Sequence, residues 1–297
     1  MKSNNMSMQG GGYYNENSTL QGLAIDKALS LLEPLKWKGK NITLADYGSS
    51  EGKNTLSISP LMVPKSFFQQ VLPDDFVNAG FSFTALHWLQ HMPSSWETPD
   101  LARYAHEDLV SFSSARHREI RPNGTLTLCI PCHGEIGVDP AVACLQASIR
   151  SLACAYRLDP SFIVRLPLYF RTMEEILSSI NAEQGKWIVK SHVAVPIMHP
   201  SWSPAVSDKG GTDKAARLRY ASGITGFTTA ACSRFLTDET GAYPEKRGFN
   251  GVGLQSGVLA EKTFLEDLSA CFKDEFLRSH IMDDVGFTYA IVQLARL

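Results

Sequence analysis

Within residues 42–55 the chain places Asp46, Gly48, Gly52 and Asn54 directly behind a short apolar run, Ile42 to Ala45. A β-branched apolar run that turns polar and glycine-containing reads as a strand entering a turn, and the run is expected to be buried. The apolar stretch after Asn54 and Thr55 would open a helix. Strand, glycine turn and helix start together form the corner of an open α/β sheet where ligands sit beyond the strand's carboxyl end. Gly48 and Gly52 carry no Cβ, so backbone and ligand can approach closely. The spacing is G-x-x-x-G, neither the G-x-G-x-x-G of dinucleotide enzymes nor the G-x-x-x-x-G-K-[ST] of a P-loop. A nicotinamide-dependent oxidoreductase is disfavoured on that spacing. A carboxylate at the strand end, Asp46, suits a cofactor that offers hydroxyls and a cation rather than a pyrophosphate, as S-adenosylmethionine does. An ordinary glycine turn is the plain alternative.

A second string, Cys129-Ile130-Pro131-Cys132-His133, has the C-x-x-C-H form of haem attachment. It follows the alternating strand that begins at Gly124, no second cysteine pair completes a zinc site, and a haem or metal role is disfavoured.

The elements that must position these residues follow from the pattern of the whole chain. With 297 residues, 44% of them hydrophobic, it can bury a full core. Charge is balanced, 28 basic against 30 acidic residues, without a basic run, so neither nucleic acid nor a membrane surface is expected as partner. No apolar stretch approaches a membrane span and the N-terminus has no apolar signal core, so a cytoplasmic protein with reduced thiols is expected. Ser18 is a plausible N-cap for a helix bearing Leu20, Ala24 and Ala28 at helical spacing. Helices are expected at 101–118, 141–156, 173–180, 214–236 and 262–280. Strands are expected at 125–130, 186–197 and 285–294, and the stretch 81–89 is expected to be a strand passing into a turn. An amphipathic piece is expected at 66–72 and a turn at Asn123-Gly124. Helices alternating with strands argue an α/β fold.

Three separated motifs now resemble one family, the plant-type small-molecule carboxyl methyltransferases of the salicylate, jasmonate and theobromine group with their fungal and bacterial relatives. Met8-Gln9-Gly10-Gly11 with Tyr14, Ser18 and Gln21 is similar to the family's M-x-G-G…Y…S…Q. The run from Ala45 to Thr55 is similar to A-D-L-G-C-S-S-G-P-N-T. Ser82-Phe83-Thr84-Ala85-Leu86-His87-Trp88-Leu89 with Pro93 is similar to S-S-Y-S-L-H-W-L-x-x-x-P. Weaker likeness continues through Pro167 to Ile176 and the strand from Gly185.

The resemblance implies a Rossmann-like S-adenosylmethionine-dependent methyltransferase sheet with a helical cap. The single domain, 1–297, would have its core at 36–133, 185–197 and 281–297, and its cap at about 134–184 and 198–280. Ser18, Asp46, Gly48, Asn54, Ser82 and Phe83 would surround the cofactor. Gln21 and Trp88 would hold a small carboxylic acid, with Tyr14 and His87 nearby, and the product would be its methyl ester. A homodimer is expected. Without the resemblance, Trp88 and Leu89 suit a plain core, and His87 suits a satisfied pocket histidine. Thr84 stands where many relatives carry a substrate-facing tyrosine.

One departure concerns the sheet. Relatives carry an acidic N-D-L-P-x-N-D-F-N-like segment after the first glycine motif, and its carboxylate binds the cofactor's ribose. Here Leu56 runs within a few residues into Val63-Pro64, similar to the family's later V-P-G-S-F-Y. Only 26 residues separate Thr55 from Ser82, too few for two more strands with their helices. Either that segment is absent from this sequence or the sheet lacks two strands, and the edge strands after the first are expected to be missing. The alternative function is therefore a truncated non-catalytic relative that acts as a binding or dimer partner.

Overall fold

The computed structural model describes residues 18–31, 41–48, 63, 65–91, 93–156, 163–182, 184–207, 213–239 and 257–297. In chain order these form α1 (Thr19–Leu31), β1 (Leu44–Asp46), β2 (Val77–Phe83), α2 (Thr98–Glu119), β3 (Ile120–Cys132), α3 (Asp139–Leu152), α4 (Met173–Asn181), β4 (Trp187–Met198), α5 (Pro204–Ser207), α6 (Lys214–Glu239), α7 (Gly257–Ser279) and β5 (Gly286–Arg296). One five-stranded sheet carries them in the order β1-β2-β3-β5-β4. β1, β2 and β3 run parallel, whereas β5 lies antiparallel to both β3 and β4.

The sheet is covered on both faces, and the period-2 alternation of strand side chains divides the core. In β5, Phe287, Tyr289 and Ile291 join α1, α3, α6 and α7 on one face. Ala290, Val292 and Leu294 join α2 and α4 on the other. The same alternation separates Cys129 from Cys132. An odd spacing in a strand sends them to opposite faces, each in a different core cluster, so they do not form one attachment site. Burial raises both thiols above their ordinary value, Cys132 to about 11.

β1 departs from the expected buried strand. It is three residues long, and Ile42 and Leu44 are 42% and 37% exposed, because β1 is the edge strand and pairs only with β2. Among the described residues no strand lies beyond it. The expected amphipathic piece at 66–72 is a set of turns. A buried ion pair on α2 explains this. Arg116 and Glu119, both fully buried, bind one another at 2.9 Å. Arg116 donates to the carbonyls of Phe67 and Gln69, and Glu119 accepts from the amides of Val71 and Leu72. Those are backbone groups that a helix would have used itself. The Arg116 guanidinium also lies 4.0 Å from the Tyr47 ring centre. Asn123-Gly124 falls inside β3, where Asn123 takes φ 63° and the pairing with β2 shifts from Ile120 to Thr125.

The pair carries a testable consequence. Removing one partner of a buried ion pair strands the other charge, at a cost of about 3–5 kcal/mol. Glu119→Gln should lower stability by that amount in urea unfolding, and Arg116→Met with Glu119→Leu should recover part of it. Equal stability of the single variant and the parent would show that the pair does not anchor the 66–72 turns.

Candidate functional site

β2 ends at Phe83, and the chain turns sharply through residues 84–89. Thr84 opens the turn with φ 57°, an uncommon conformation for a β-branched residue, while its amide donates to Cys129 O of β3. The turn closes on itself through Trp88 N to Ala85 O. Residues 166–171 then bind it along its length. Tyr169 N donates to His87 O at 2.9 Å, Leu89 N donates to Pro167 O at 2.8 Å, and Trp88 forms a β-bridge with Leu168.

Arg171 completes the clamp. It is 1% exposed, and its guanidinium donates to Leu86 O in the turn and, twice, to Ala105 O of α2. Its own carbonyl accepts from His133 N at the end of β3. Burial lowers its pKa to about 10, against the pull of Asp108 and Glu175. Asp108 in turn accepts from Gln90 N just beyond the turn.

The clamped turn forms one wall of a cavity. α1 supplies Gln21, the turn supplies Thr84, His87 and Trp88, and α3 supplies Ala141 and Val142. Leu166, Leu168 and Phe170 come from the clamping segment, Phe227, Thr228, Ala231 and Cys232 from α6, and Phe287 and Tyr289 from β5. No charged side chain is among these lining residues. Yet Gln21 Oε1, His87 Nδ1, Trp88 Nε1 and Thr228 Oγ1 are buried with no protein partner. Such orphaned groups are rare in native cores, and four on one apolar cavity could exchange hydrogen bonds with a polar ligand.

His87 stays neutral there. Burial, helped by the Arg171 guanidinium, lowers its pKa to about 3. Its ring lies 5.6 Å from Trp88, 5.8 Å from Phe170 and 6.1 Å from Phe287, within an aromatic wall.

The residues expected around the cofactor occupy the carboxyl ends of β1 and β2. Asp46 is half-buried at the end of β1. Gly48 follows with φ 92°, and a Cβ there would stand 2.5 Å from that of Ala85, so both the turn and the packing require glycine. Ser82 is buried and donates to Tyr47 O, tying β2 to that turn. Phe83 is buried and stacks on Phe81 at 5.8 Å. Ser18 is buried at the start of α1, where its carbonyl accepts from Gly22 N as an N-cap's does. Tyr14 and Asn54 lie outside the described residues. Thus Gln21, His87 and Trp88 meet at one cavity, and Asp46, Gly48, Ser82 and Phe83 meet at the adjoining strand ends. Sequence reasoning missed Thr228, Phe287 and Arg171. The last lies inside the stretch from Pro167 to Ile176 but carries no motif of its own.

No protein-family profile matches the chain. It is similar to the methyltransferase FUS9 of Gibberella moniliformis, 26% identical across 99% of this chain and 98% of that protein. Methyltransferase LUC1 of a Fusarium species is 27% identical across 99% and 98%. Among solved structures, a loganic acid methyltransferase with SAH superposes with a TM-score of 0.70 at 17% identity, covering 97% of this chain and 98% of that one. The fold is therefore the Rossmann-like fold of the S-adenosylmethionine-dependent methyltransferases.

The two buried imidazoles set an acid limit on stability. His199, which bonds Ser201 Oγ at 2.7 Å, is lowered by burial to about 4. Unfolded, both side chains take up a proton below their ordinary value of 6.5, whereas folded they refuse it until about 4 and about 3. The native state is therefore unaffected above that value and loses about 1.4 kcal/mol per pH unit for each group as the pH falls below it. Urea unfolding of His87→Asn between pH 7.5 and 5 should show a slope shallower than the parent's by about that amount. Parallel slopes would show that His87 is not held neutral.

Proposed function

We propose that this chain is an S-adenosylmethionine-dependent O-methyltransferase that forms the methyl ester of a small carboxylic acid. The observation that carries this reading is the set of unpartnered groups of Gln21, His87 and Trp88 on an apolar cavity with no charged lining residue. A carboxylate is ionised at neutral pH and needs no general base. It needs aim and a dry surrounding, and neutral donors on a rigid frame supply both.

Trp88 Nε1 can only donate. The Gln21 amide presents Nε2 in place of Oε1 after a half-turn that leaves the heavy-atom outline unchanged. Together they grip the two carboxylate oxygens without the charge neutralisation an arginine would bring. His87, held neutral, packs beside them and moves no proton. Asp46, at the end of β1, fits a cofactor with hydroxyls. When bound, S-adenosylmethionine supplies an electrophilic methyl group on a sulfonium. The carboxylate oxygen held by Gln21 and Trp88 would accept that methyl group, with the electron pair of the broken carbon–sulfur bond left on sulfur. Holding the two reactants in line contributes roughly 7–11 kcal/mol to such a step.

The two ends of the site should separate experimentally. Trp88→Phe and Gln21→Ala should each lower methyl transfer by about 10- to 150-fold, the loss of a hydrogen bond to a charged group, with cofactor affinity within a few-fold. Asp46→Ala should abolish cofactor binding in calorimetry while the protein stays folded. Tight binding of NAD, or equal loss of cofactor binding in all three variants, would overturn the assignment.

A second reading, a truncated relative of weak or no activity, is favoured by the edge position of β1 and by length. The match to the FUS9 methyltransferase runs over 359 aligned positions while this chain has 297 residues, so at least 62 positions face no residue here. If they include the ribose-binding carboxylate, affinity for S-adenosylmethionine should be about 10- to 150-fold weaker than that of the fungal relative measured alongside. Equal affinities would show that no ribose ligand has been lost.

A further inference from the structure

Three threonines stand within five residues on α6, and they do not behave alike. Thr225 Oγ1 donates to Ala221 O and Thr229 Oγ1 donates to Thr225 O, both at 2.7 Å, the usual back-bond of a helical threonine one turn up the helix. Thr228 is 5% exposed and lines the cavity, yet its hydroxyl has no partner. A buried hydroxyl left unbonded is costly, and its two neighbours show that this helix offers the local bond.

Thr228 lines the same cavity as the proposed carboxylate grip, and an aromatic wall runs between the His87 side and the Phe227 side of it. The His87 ring lies 6.1 Å from Phe287, and Phe287 lies 5.8 Å from Phe227, the residue before Thr228. Most of the cavity lining is aliphatic and aromatic, and none of it is charged. A substrate's body there must be apolar, and a second charge would meet no counter-ion. Threonine's hydroxyl both donates and accepts, so it suits either an alcohol or a carbonyl oxygen.

Resting on the methyl-ester reading above, we infer that Thr228 is a specificity-determining residue that hydrogen-bonds a neutral oxygen on the substrate. The acid accepted is then a monocarboxylic acid with an apolar body that bears one hydroxyl or keto group apart from the carboxylate. Thr228 selects that oxygen through direct contact and takes no part in methyl transfer.

Calorimetric binding to the full chain tests this without requiring turnover. The probes are octanoate, its ω-hydroxy and keto derivatives, and cinnamate with its para-hydroxy derivative, together with the methyl ester of each. The parent protein should bind the best oxygenated acid about tenfold more tightly than its deoxy partner. Thr228→Val, equal in shape, should erase that difference and leave the deoxy acid unchanged or tighter, while Thr228→Ser should keep most of it. Melting temperatures of both variants report their folding. Equal binding of oxygenated and deoxy acids by the parent, or the same discrimination in the valine variant, overturns the inference. Methyl esters that bind as well as the acids would overturn the carboxylate reading and leave the role of Thr228 standing. No binding of any probe would overturn both.

Discussion

A guanidinium sealed inside the protein sets the terms for the site. Arg171 is 1% exposed and, among the described residues, its guanidinium hydrogen-bonds no carboxylate, so its charge is dispersed over the carbonyls of Leu86 and Ala105. A buried cation must be satisfied by fixed dipoles, and those dipoles belong to the turn that carries His87 and Trp88 and to the helix behind it. The turn therefore cannot relax without exposing an unsatisfied charge. The same charge, with burial, keeps His87 neutral. One residue outside the cavity's apolar face thus fixes both the position and the protonation state of its polar end.

The cavity solves its chemical problem with neutral groups. Its wall is built from both sides of the chain's midpoint, with α1 and the 84–89 turn facing α6 and β5. Desolvation there strengthens each hydrogen bond to an anion, because little water competes. A cation in the same place would hold an anion more firmly and make it a poorer nucleophile. On the proposed methyl-ester reading, placing Arg171 behind the turn would keep its charge off the carboxylate while retaining its structural use.

Much of this was legible in the sequence. The spacing of Leu20, Ala24 and Ala28 announced α1, and the β-branched runs announced β4 and β5. Gln21, His87 and Trp88 were named together and the fold brings them to one cavity. What stayed hidden has physical causes. β2 begins at Val77 rather than Phe81, because Asn78, Ala79 and Gly80 are weak strand formers held by parallel neighbours on both sides. β1 looked buried from its composition, but burial depends on what lies beside a strand. Arg171 reads as a surface residue until three-dimensional packing brings two carbonyls to it. Thr228 carries no period at all, since its significance lies in a bond its neighbours make and it does not.

The Arg116–Glu119 anchor gives the edge of the sheet an unusual freedom. The ring of Phe67 approaches to 3.2 Å of where a Cβ on Gly48 would stand, so the chain leaves β1 and returns to the frame at adjacent points. Eighteen residues join those points in this sequence. Loop-closure entropy grows only with the logarithm of length, so lengthening this segment by about 62 residues would be just over two doublings, roughly 1.3 kcal/mol. With both exits pinned by α2, strands can be gained or lost at this border for less than the cost of one buried methyl-sized cavity or two. The border is a place where chain can be added or removed while the rest of the sheet keeps its geometry.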